Sequence, residues 1–317
     1  MRIVSADEID RTLGFPELID ALAEAFRGNI VTPIRHHHDI ARAGSAATLL
    51  LMPAWTGAAS GAGFVGVKIS TLFPDNARKN LPTFFGTYLL LNGDTGAPLV
   101  ALDGARLTLW RTAAASALAA RYLARGDARR MTMIGAGALA PFLIRAHISQ
   151  RPIGEVAIWN HRPEKAEAVA AALRREGLPI RAAADLESAV READLVSCAT
   201  LSSTPLIKGA WLRPGAHLDL VGAFKPGMRE ADHEALQRAS IYVDTDLAKT
   251  EGGDVAEALK AGALAEGDVN ADLAALCRGA AVGRRGRDEI TVFKSVGTAL
   301  EDLVAAMLVW RRRASTS

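Results

Sequence analysis

Six residues near the middle of the chain have types and spacing that suit an anion. Gly135-Ala136-Gly137-Ala138-Leu139-Ala140 follows a short apolar run at 131–134 and opens a stretch with helical periodicity. The pattern is G-x-G-x-x-A. The first glycine permits a tight turn, the second lets the backbone approach a pyrophosphate, and the small last residue allows close helix–strand packing. The free N–H groups of the helix start then face the phosphates. Glycine-rich turns are common, so the pattern alone is a weak signal, and a plain strand-to-helix turn is the competing reading. The context of strand, turn, helix and second strand makes it a dinucleotide signature.

The second strand ends in Trp159-Asn160-His161-Arg162. A site for NAD usually places Asp or Glu here to bind the ribose 2′-hydroxyl. An amide and a guanidinium suit a 2′-phosphate, which a carboxylate would repel. The expected cofactor is therefore NADPH, with NADH the weaker, held by Gly135, Ala136, Gly137, Ala138, Leu139, Asn160, His161 and Arg162. Arg162 as a solvated helix-start residue is the alternative. Lys165 either assists or belongs to the surface. Ala199-Thr200 and Val221-Gly222 close the next two strands and are expected to border the nicotinamide side.

The elements that position these groups fall into two kinds. Ser5 with Glu8 fits a capping box. A second helix is expected from Pro16, with Leu18, Ile19, Leu22 and Phe26 on one face. Strands are expected at 47–55, 64–73, 87–92 and 97–102. The last two form a hairpin across Asn92-Gly93-Asp94-Thr95-Gly96, and the four together an antiparallel sheet. A helix covers 107–124. Strands at 131–134, 156–159, 180–182, 195–199, 217–221 and 241–243 then alternate with helices, among them one from about Leu139, 163–176 and 187–192. That rhythm predicts a parallel, doubly wound α/β sheet of the Rossmann type. An amphipathic helix at 297–311 ends the chain. The division expected is residues 1–116 with 296–317 as an α+β unit and 117–295 as the nucleotide-binding unit.

Composition narrows the class. Half of the 317 residues are apolar, mean hydropathy is +0.13, and formal net charge is +2, which provides no electrostatic footprint for nucleic acid. No apolar run approaches a membrane span, and the acids in MRIVSADEIDR stand where a signal peptide needs an apolar core. A cytoplasmic protein is expected. Cys198 and Cys277 have no disulfide or metal spacing, so no metal is expected; Cys198 reads as a small buried hydrophobe. Arg311, Arg312 and Arg313 read as a solvated, frayed end.

Several segments together resemble the ornithine cyclodeaminase/mu-crystallin family along essentially the whole chain. They are Gly66-Val67-Lys68-Ile69, Leu81-Pro82-Thr83, Leu107-Thr108, Arg111-Thr112-Ala113-Ala114-Ala115-Ser116, the glycine turn, Lys294-Ser295-Val296-Gly297 and Ala299-Leu300-Glu301-Asp302. The resemblance implies that the first unit binds substrate on an antiparallel sheet and builds a homodimer. It implies that Arg35, Lys68 and Arg111 clamp a substrate carboxylate, with Thr83 and Phe224 also on the substrate side. It places Thr112 near the cofactor phosphates and Ser295 in the cofactor set. On residue type alone, Lys68 reads as an edge-strand charge and Arg111 as a helix-surface residue, neither needed as core.

Two departures refine the implied activity. Cyclodeaminating and alanine-dehydrogenating members carry an Asp where Val221-Gly222-Ala223-Phe224 puts Phe224, and Phe neither accepts a proton nor pairs with an ammonium. The run Arg35-His36-His37-His38 resembles members that reduce Δ1-pyrroline-2-carboxylate and Δ1-piperideine-2-carboxylate. Side chains alternate along a strand, so the three imidazoles do not converge on a metal; a proton-relay use and a solvated loop both remain open. The expectation is NADPH-dependent reduction of cyclic imino acids, with Lys68 and Arg111 in catalytic roles. The alternatives are an ornithine cyclodeaminase or amino-acid dehydrogenase, and a non-catalytic, crystallin-like binding protein.

Overall fold

The computed structural model describes residues 1–42, 44–57 and 63–314. The chain forms two compact units, one of Met1–Thr112 with the segment from Thr298 onward, the other of Ala113–Gly297.

The first unit begins with β1 (Arg2–Val4), α1 (Ala6–Thr12) and α2 (Phe15–Arg27). Ser5 and Glu8 form the expected capping box at α1. In α2 the face made by Leu18, Ile19, Leu22 and Phe26 is buried. Then come β2 (Ile30–Val31), β3 (His36–Ile40), β4 (Ala47–Thr56), β5 (Phe64–Leu72), β6 (Phe84–Asn92) and β7 (Pro98–Asp103). Neighbours from β4 to β7 are antiparallel, and Asn92–Gly96 makes the turn between β6 and β7. The sheet is not purely antiparallel, because β1 adds parallel to β7. Three residues of β1 carry too short a pattern to announce a strand. Pro53 lies within β4 where its missing donor is harmless: β3 pairs as far as Leu51 and β2 begins at Trp55.

Register decides what the two faces of this sheet hold. Met52, Lys68, Tyr88 and Leu102 form one row across β4 to β7, and Ala54, Gly66, Leu90 and Val100 form the next. Among these, Met52, Ala54, Lys68, Tyr88, Leu90, Val100 and Leu102 are buried, and the C-terminal helix (Ala299–Ala314) packs over β4, β5 and β6. The other face presents Trp55, Val65 and Phe85 as exposed apolar groups. The basic end of the C-terminal helix is not frayed as expected. Arg312 donates to the Thr12 carbonyl at 2.6 Å, Arg313 pairs with Glu8 at 2.8 Å, and Arg311 lies over the Phe64 ring. Helical spacing aims Arg312 and Arg313 at a carbonyl and an acid of α1, which sequence position alone does not reveal.

From β7 the chain enters α3 (Gly104–Leu123), whose Ala-rich second half is a buried helix of the second unit. There β8 (Arg130–Ile134), α4 (Ala140–Gln150), β9 (Glu155–Trp159), α5 (Pro163–Arg175), β10 (Ile180–Ala182), α6 (Leu186–Glu192), β11 (Leu195–Cys198) and β12 (His217–Leu220) follow the expected alternation. After them come α7 (His233–Gln237), β13 (Ser240–Val243), α8 (Gly253–Lys260), β14 (Val269–Asp272), α9 (Leu273–Arg278) and β15 (Thr291–Lys294). The sheet is wholly parallel, in the order β10-β9-β8-β11-β12-β15-β13-β14. The order reverses between β8 and β11, and in such sheets ligands bind outside the carboxyl ends of the strands at that reversal.

Candidate functional site

In the first unit, Lys68 and Arg111 meet over two acids of the C-terminal helix. Lys68 Nζ lies 2.7 Å from Asp302 Oδ2. Arg111 donates from Nε to Asp302 Oδ1 at 3.1 Å and from Nη1 to Glu301 Oε2 at 2.7 Å. Lys68 and Arg111 side chains are 3% and 7% exposed, and both acids are fully buried. This corrects the residue-type reading of both cations. β5 runs between β4 and β6, so Lys68 is on an interior strand rather than an edge, and Arg111 is on the buried face of α3.

Acids in a helix's first turn ordinarily complement its dipole, for about 0.3–1 kcal/mol. Burying a carboxylate costs several kcal/mol, so the dipole cannot explain Glu301 and Asp302; the cations do. Burial is also the main influence on Lys68. It brings the ammonium down to about 8, against the pull of Asp302 upward, with the charges of Arg111 and Arg35 adding to the descent. Arg35 is half-buried just before β3, near enough for its charge to be felt at Lys68. Of the expected clamp, Lys68 and Arg111 are thus brought together on Asp302, while Arg35 enters through its charge at Lys68. Tyr88, beside Lys68 in the register, is buried, and desolvation and the Asp302 charge push its hydroxyl well above its usual value.

Other expected residues of this unit lie outside that arrangement. Thr83 precedes β6, half-buried, its carbonyl accepting from the Phe73 N–H at 2.8 Å. Thr112 is buried on α3. His36, His37 and His38 are exposed on β3, so they form a strand and not a loop. His36 and His38 share a face with ring centres 6.2 Å apart, while His37 alternates to the other face. Among the described residues no group of three or more His, Cys, Asp or Glu is arranged to hold a metal.

In the second unit the glycine turn has the geometry a pyrophosphate needs. Gly135 has φ +104°, and a Cβ there would stand 2.5 Å from the Ala199 carbonyl oxygen. A Cβ on Gly137 would meet nothing within 4 Å, so the turn is open on that side. Ala136 and Leu139 are half-buried, Ala138 is exposed, and no side chain caps the start of α4. The Ala140 and Phe142 N–H groups donate to the Gly137 and Leu139 carbonyls and Pro141 has none, so the donors a pyrophosphate would meet are those of the turn itself. The residues present fit a dinucleotide. At the end of β9, half-buried Asn160 donates from Nδ2 to the Arg162 carbonyl at 3.2 Å, and His161 and Arg162 are exposed.

Two acids absent from the expected set organise the neighbouring strand ends. Glu230 is fully buried. Its carboxylate accepts from the Thr200 N–H at 2.6 Å, the Thr200 hydroxyl at 2.9 Å, the Gly222 N–H at 2.8 Å and the Ala223 N–H at 3.3 Å. It ties the end of β11 to the end of β12, so Ala199, Thr200, Val221 and Gly222 are held in one place. Asp254 accepts from the Glu230 and Ala231 N–H groups at 2.7 and 3.0 Å and pairs with buried Lys294 at 3.2 Å. Burial pushes the Glu230 carboxyl up, with Lys294 opposing. Ser295 follows β15 and is buried. Phe224 is 39% exposed, with the Lys225 ammonium 5.9 Å from its ring centre. A lone Glu after a strand has no pattern that separates it from surface charge, so only the fold reveals Glu230.

A parallel sheet with its strand order reversed beside a glycine turn defines a Rossmann-type α/β protein, here joined to a mixed-sheet unit with a buried cationic set. The model of the ornithine cyclodeaminase/mu-crystallin family matches residues 2–317; the chain belongs to that family. It is 40% identical over 309 residues to Protein SAR DEFICIENT 4 of Arabidopsis thaliana, covering 93% of this chain and 94% of that one. It is 38% identical to the Delta(1)-pyrroline-2-carboxylate reductase of Paracoccus denitrificans, covering 91% and 90%. Among solved structures, the Thermococcus litoralis Delta(1)-pyrroline-2-carboxylate reductase in complex with NADH and L-proline superposes with TM-score 0.93 at 30% identity, covering 100% and 98%. An archaeal alanine dehydrogenase dimer with bound NAD superposes with TM-score 0.91 at 30% identity, covering 100% and 97%.

Proposed function

We propose that this protein is an oxidoreductase that reduces cyclic imino acids, Δ1-pyrroline-2-carboxylate to L-proline and Δ1-piperideine-2-carboxylate to L-pipecolate, with a nicotinamide cofactor and with NADPH preferred. The observation that carries this reading is the charge at Lys68. Lys68 and Arg111 come from two different elements and converge on Asp302 in a largely dry place, with the charge of Arg35 felt at Lys68, and a buried cluster of cations suits a substrate carboxylate.

In this reading Arg35, Lys68 and Arg111 bind and orient the ring carboxylate, with Thr83 and Phe224 on the substrate side. Lys68 protonates the imine nitrogen, making its carbon electrophilic. The nicotinamide, when bound, supplies the hydride that this carbon takes. The glycine turn Gly135–Leu139 would hold the pyrophosphate, and Asn160, His161 and Arg162 the 2′-phosphate. Ala199, Thr200, Val221 and Gly222 would flank the nicotinamide, with Thr112 and Ser295 completing the cofactor set. The chain's own contribution is orientation and electrostatics. Phe224 in place of an acid argues against ammonia release, since it leaves no acceptor for an amine. The apolar face bearing Trp55, Val65 and Phe85 supports a homodimer. No helix among the described residues is long and apolar enough to cross a membrane, and the buried Cys198 and Cys277 thiols suit a reducing cytoplasm.

The test is a steady-state assay of five- and six-membered cyclic imino acids with NADPH and with NADH, alongside ammonia release from L-ornithine with NAD. Imine-dependent oxidation of NADPH without ornithine deamination is the expected result. Deamination of ornithine, or binding without any turnover, would overturn the reading in favour of a cyclodeaminase or a binding protein respectively.

A further inference from the structure

Asp302 stands at the centre of the cationic set. Its two oxygens are divided between two residues, Oδ2 to the Lys68 ammonium at 2.7 Å and Oδ1 to Arg111 Nε at 3.1 Å. Lys68 and Arg111 lie on different elements, β5 and α3, and Asp302 reaches both from the first turn of the C-terminal helix. Glu301, its neighbour, is paired with Arg111 Nη1. The two acids therefore have different tasks. Glu301 fixes the plane of one guanidinium, whereas Asp302 sets the separation of two cations.

We propose that Asp302 is the positioning residue of the reductase site: its carboxylate holds Lys68 and Arg111 side by side, so that both meet the substrate from fixed places and Lys68 is kept as the ammonium that protonates the imine. This rests on the assignment of Lys68 and Arg111 to substrate. The step balances as follows. The imine carbon gains a hydride from the nicotinamide, which is oxidised, the imine nitrogen gains a proton from Lys68, and Lys68 recovers its proton from water. An ammonium has three protons, and Asp302 engages one side of it. The charged groups felt at Lys68 are Asp302 from the C-terminal helix, Arg111 from α3 and Arg35 from the segment before β3; Tyr88 of β6 is its cross-strand neighbour, with the hydroxyl over Gly66. Of these, Asp302 alone favours the charged lysine; burial, Arg111 and Arg35 all oppose it.

The experiment uses the full chain with lysine labelled with carbon-13 at Cε, the Lys68 signal being assigned by its loss in Lys68→Met. Lys68 is titrated by NMR without substrate in wild type, Asp302→Asn and Glu301→Gln. The pH profile of kcat/KM with Δ1-pyrroline-2-carboxylate and NADPH is then recorded for each. In Asp302→Asn, Lys68 should titrate roughly 1–3 pH units lower than in wild type, as expected for loss of an adjacent opposite charge, and the alkaline limb of kcat/KM should move with it. Glu301→Gln should raise KM and leave the Lys68 titration close to wild type. An unmoved Lys68 titration in Asp302→Asn overturns the proposal, as does a loss of activity uniform in pH. Should Asp302→Asn not fold, Asp302→Glu decides: it keeps the charge but displaces both cations, so kcat/KM should fall by about tenfold or more, and wild-type turnover in that variant overturns the proposal. A wild-type protein inert toward every cyclic imine sinks the substrate assignment instead, a result distinct from the Lys68 titration.

Discussion

The Tyr88 hydroxyl occupies the space that a Cβ at position 66 would need: a methyl group built on Gly66 overlaps it. Gly66 and Tyr88 lie on adjacent strands, one register row apart, and Tyr88 is the cross-strand partner of Lys68. The glycine therefore admits a tyrosine to the buried polar row beside the lysine, which is a reason for its place in the sequence Gly66-Val67-Lys68. Gly66→Ala should force Tyr88 off its rotamer at a cost of about 1–3 kcal/mol. The expected outcome is a lower midpoint in urea denaturation together with reduced imine turnover. Unchanged stability would mean that the tyrosine has somewhere else to go.

Arg111→Ala and Lys68→Ala should each cut kcat/KM by tens to thousands-fold, because truncating one partner of a desolvated charge pair costs about 2–5 kcal/mol. From residue type neither side chain is needed as core, and the fold is expected to tolerate both changes. Their burial against Glu301 and Asp302 changes that expectation. Losing Arg111 strips partners from two fully buried carboxylates, and breaking a buried pair costs about 3–5 kcal/mol of stability. Arg111→Ala should therefore lower both the melting temperature and the rate. Calorimetry on the purified variant separates the two effects, and an unchanged melting temperature would contradict the buried geometry.

These residues also show what a sequence reveals. Alternation and turn chemistry made β4 to β7 and the run from β8 to β12 legible, since half-buried strands and glycine turns leave local patterns. The glycine turn announced its own chemistry because one backbone shape demands those residues. Glu301 and Asp302 are legible only through a family resemblance, since acids opening a helix look the same whether they face water or a buried lysine. Glu230 left no local signal, because its four donors come from residues 200, 222 and 223 and only the sheet order brings them together. β15 was missed although Thr291-Val292-Phe293 is β-prone. Four residues placed after a long irregular segment do not show that they fill the gap between β12 and β13.

The cofactor preference is tested at Arg162. Asn160 and Arg162 replace the acid that would bind a ribose hydroxyl, and Arg162 is exposed at the start of α5. Arg162→Ala should raise the Michaelis constant for NADPH by roughly tenfold, the loss of one charge-assisted pair to phosphate of about 1.5 kcal/mol. The constant for NADH should barely move. Equal losses with both cofactors would show that Arg162 does not read the 2′-phosphate.

The last prediction concerns acid stability and arises from the core of the second unit. His217 is fully buried on β12, its Nδ1 3.0 Å from the Thr291 hydroxyl on β15. Burial holds this imidazole down at about 3, with His147, Arg284 and Arg151 adding to the descent and Asp219 opposing it. An unfolded histidine titrates near 6.5. Below that pH the unfolded chain takes up a proton that the native protein refuses, so stability is complete above about 6.5 and falls as the pH drops toward about 3. The slope is about 1.4 kcal/mol per pH unit within that window. Asp219 and Asp194, whose carboxyls are held below their ordinary values, lose stability in the same direction, but only at pH values below the ordinary aspartate range. Between pH 6.5 and 4.5 those aspartates are silent, but the buried Glu230 carboxyl, raised to about 7, gains stability as the pH falls and opposes the histidine, so the His217 contribution is read as a difference between wild type and a His217 variant. Urea denaturation across that interval should show wild-type stability falling, relative to His217→Gln, by about 1.4 kcal/mol per pH unit as the pH drops, the glutamine keeping a hydrogen-bonding group near Thr291. Equal slopes in the two proteins would mean that His217 accepts its proton in the folded state and that the buried β12–β15 contact opens to admit it.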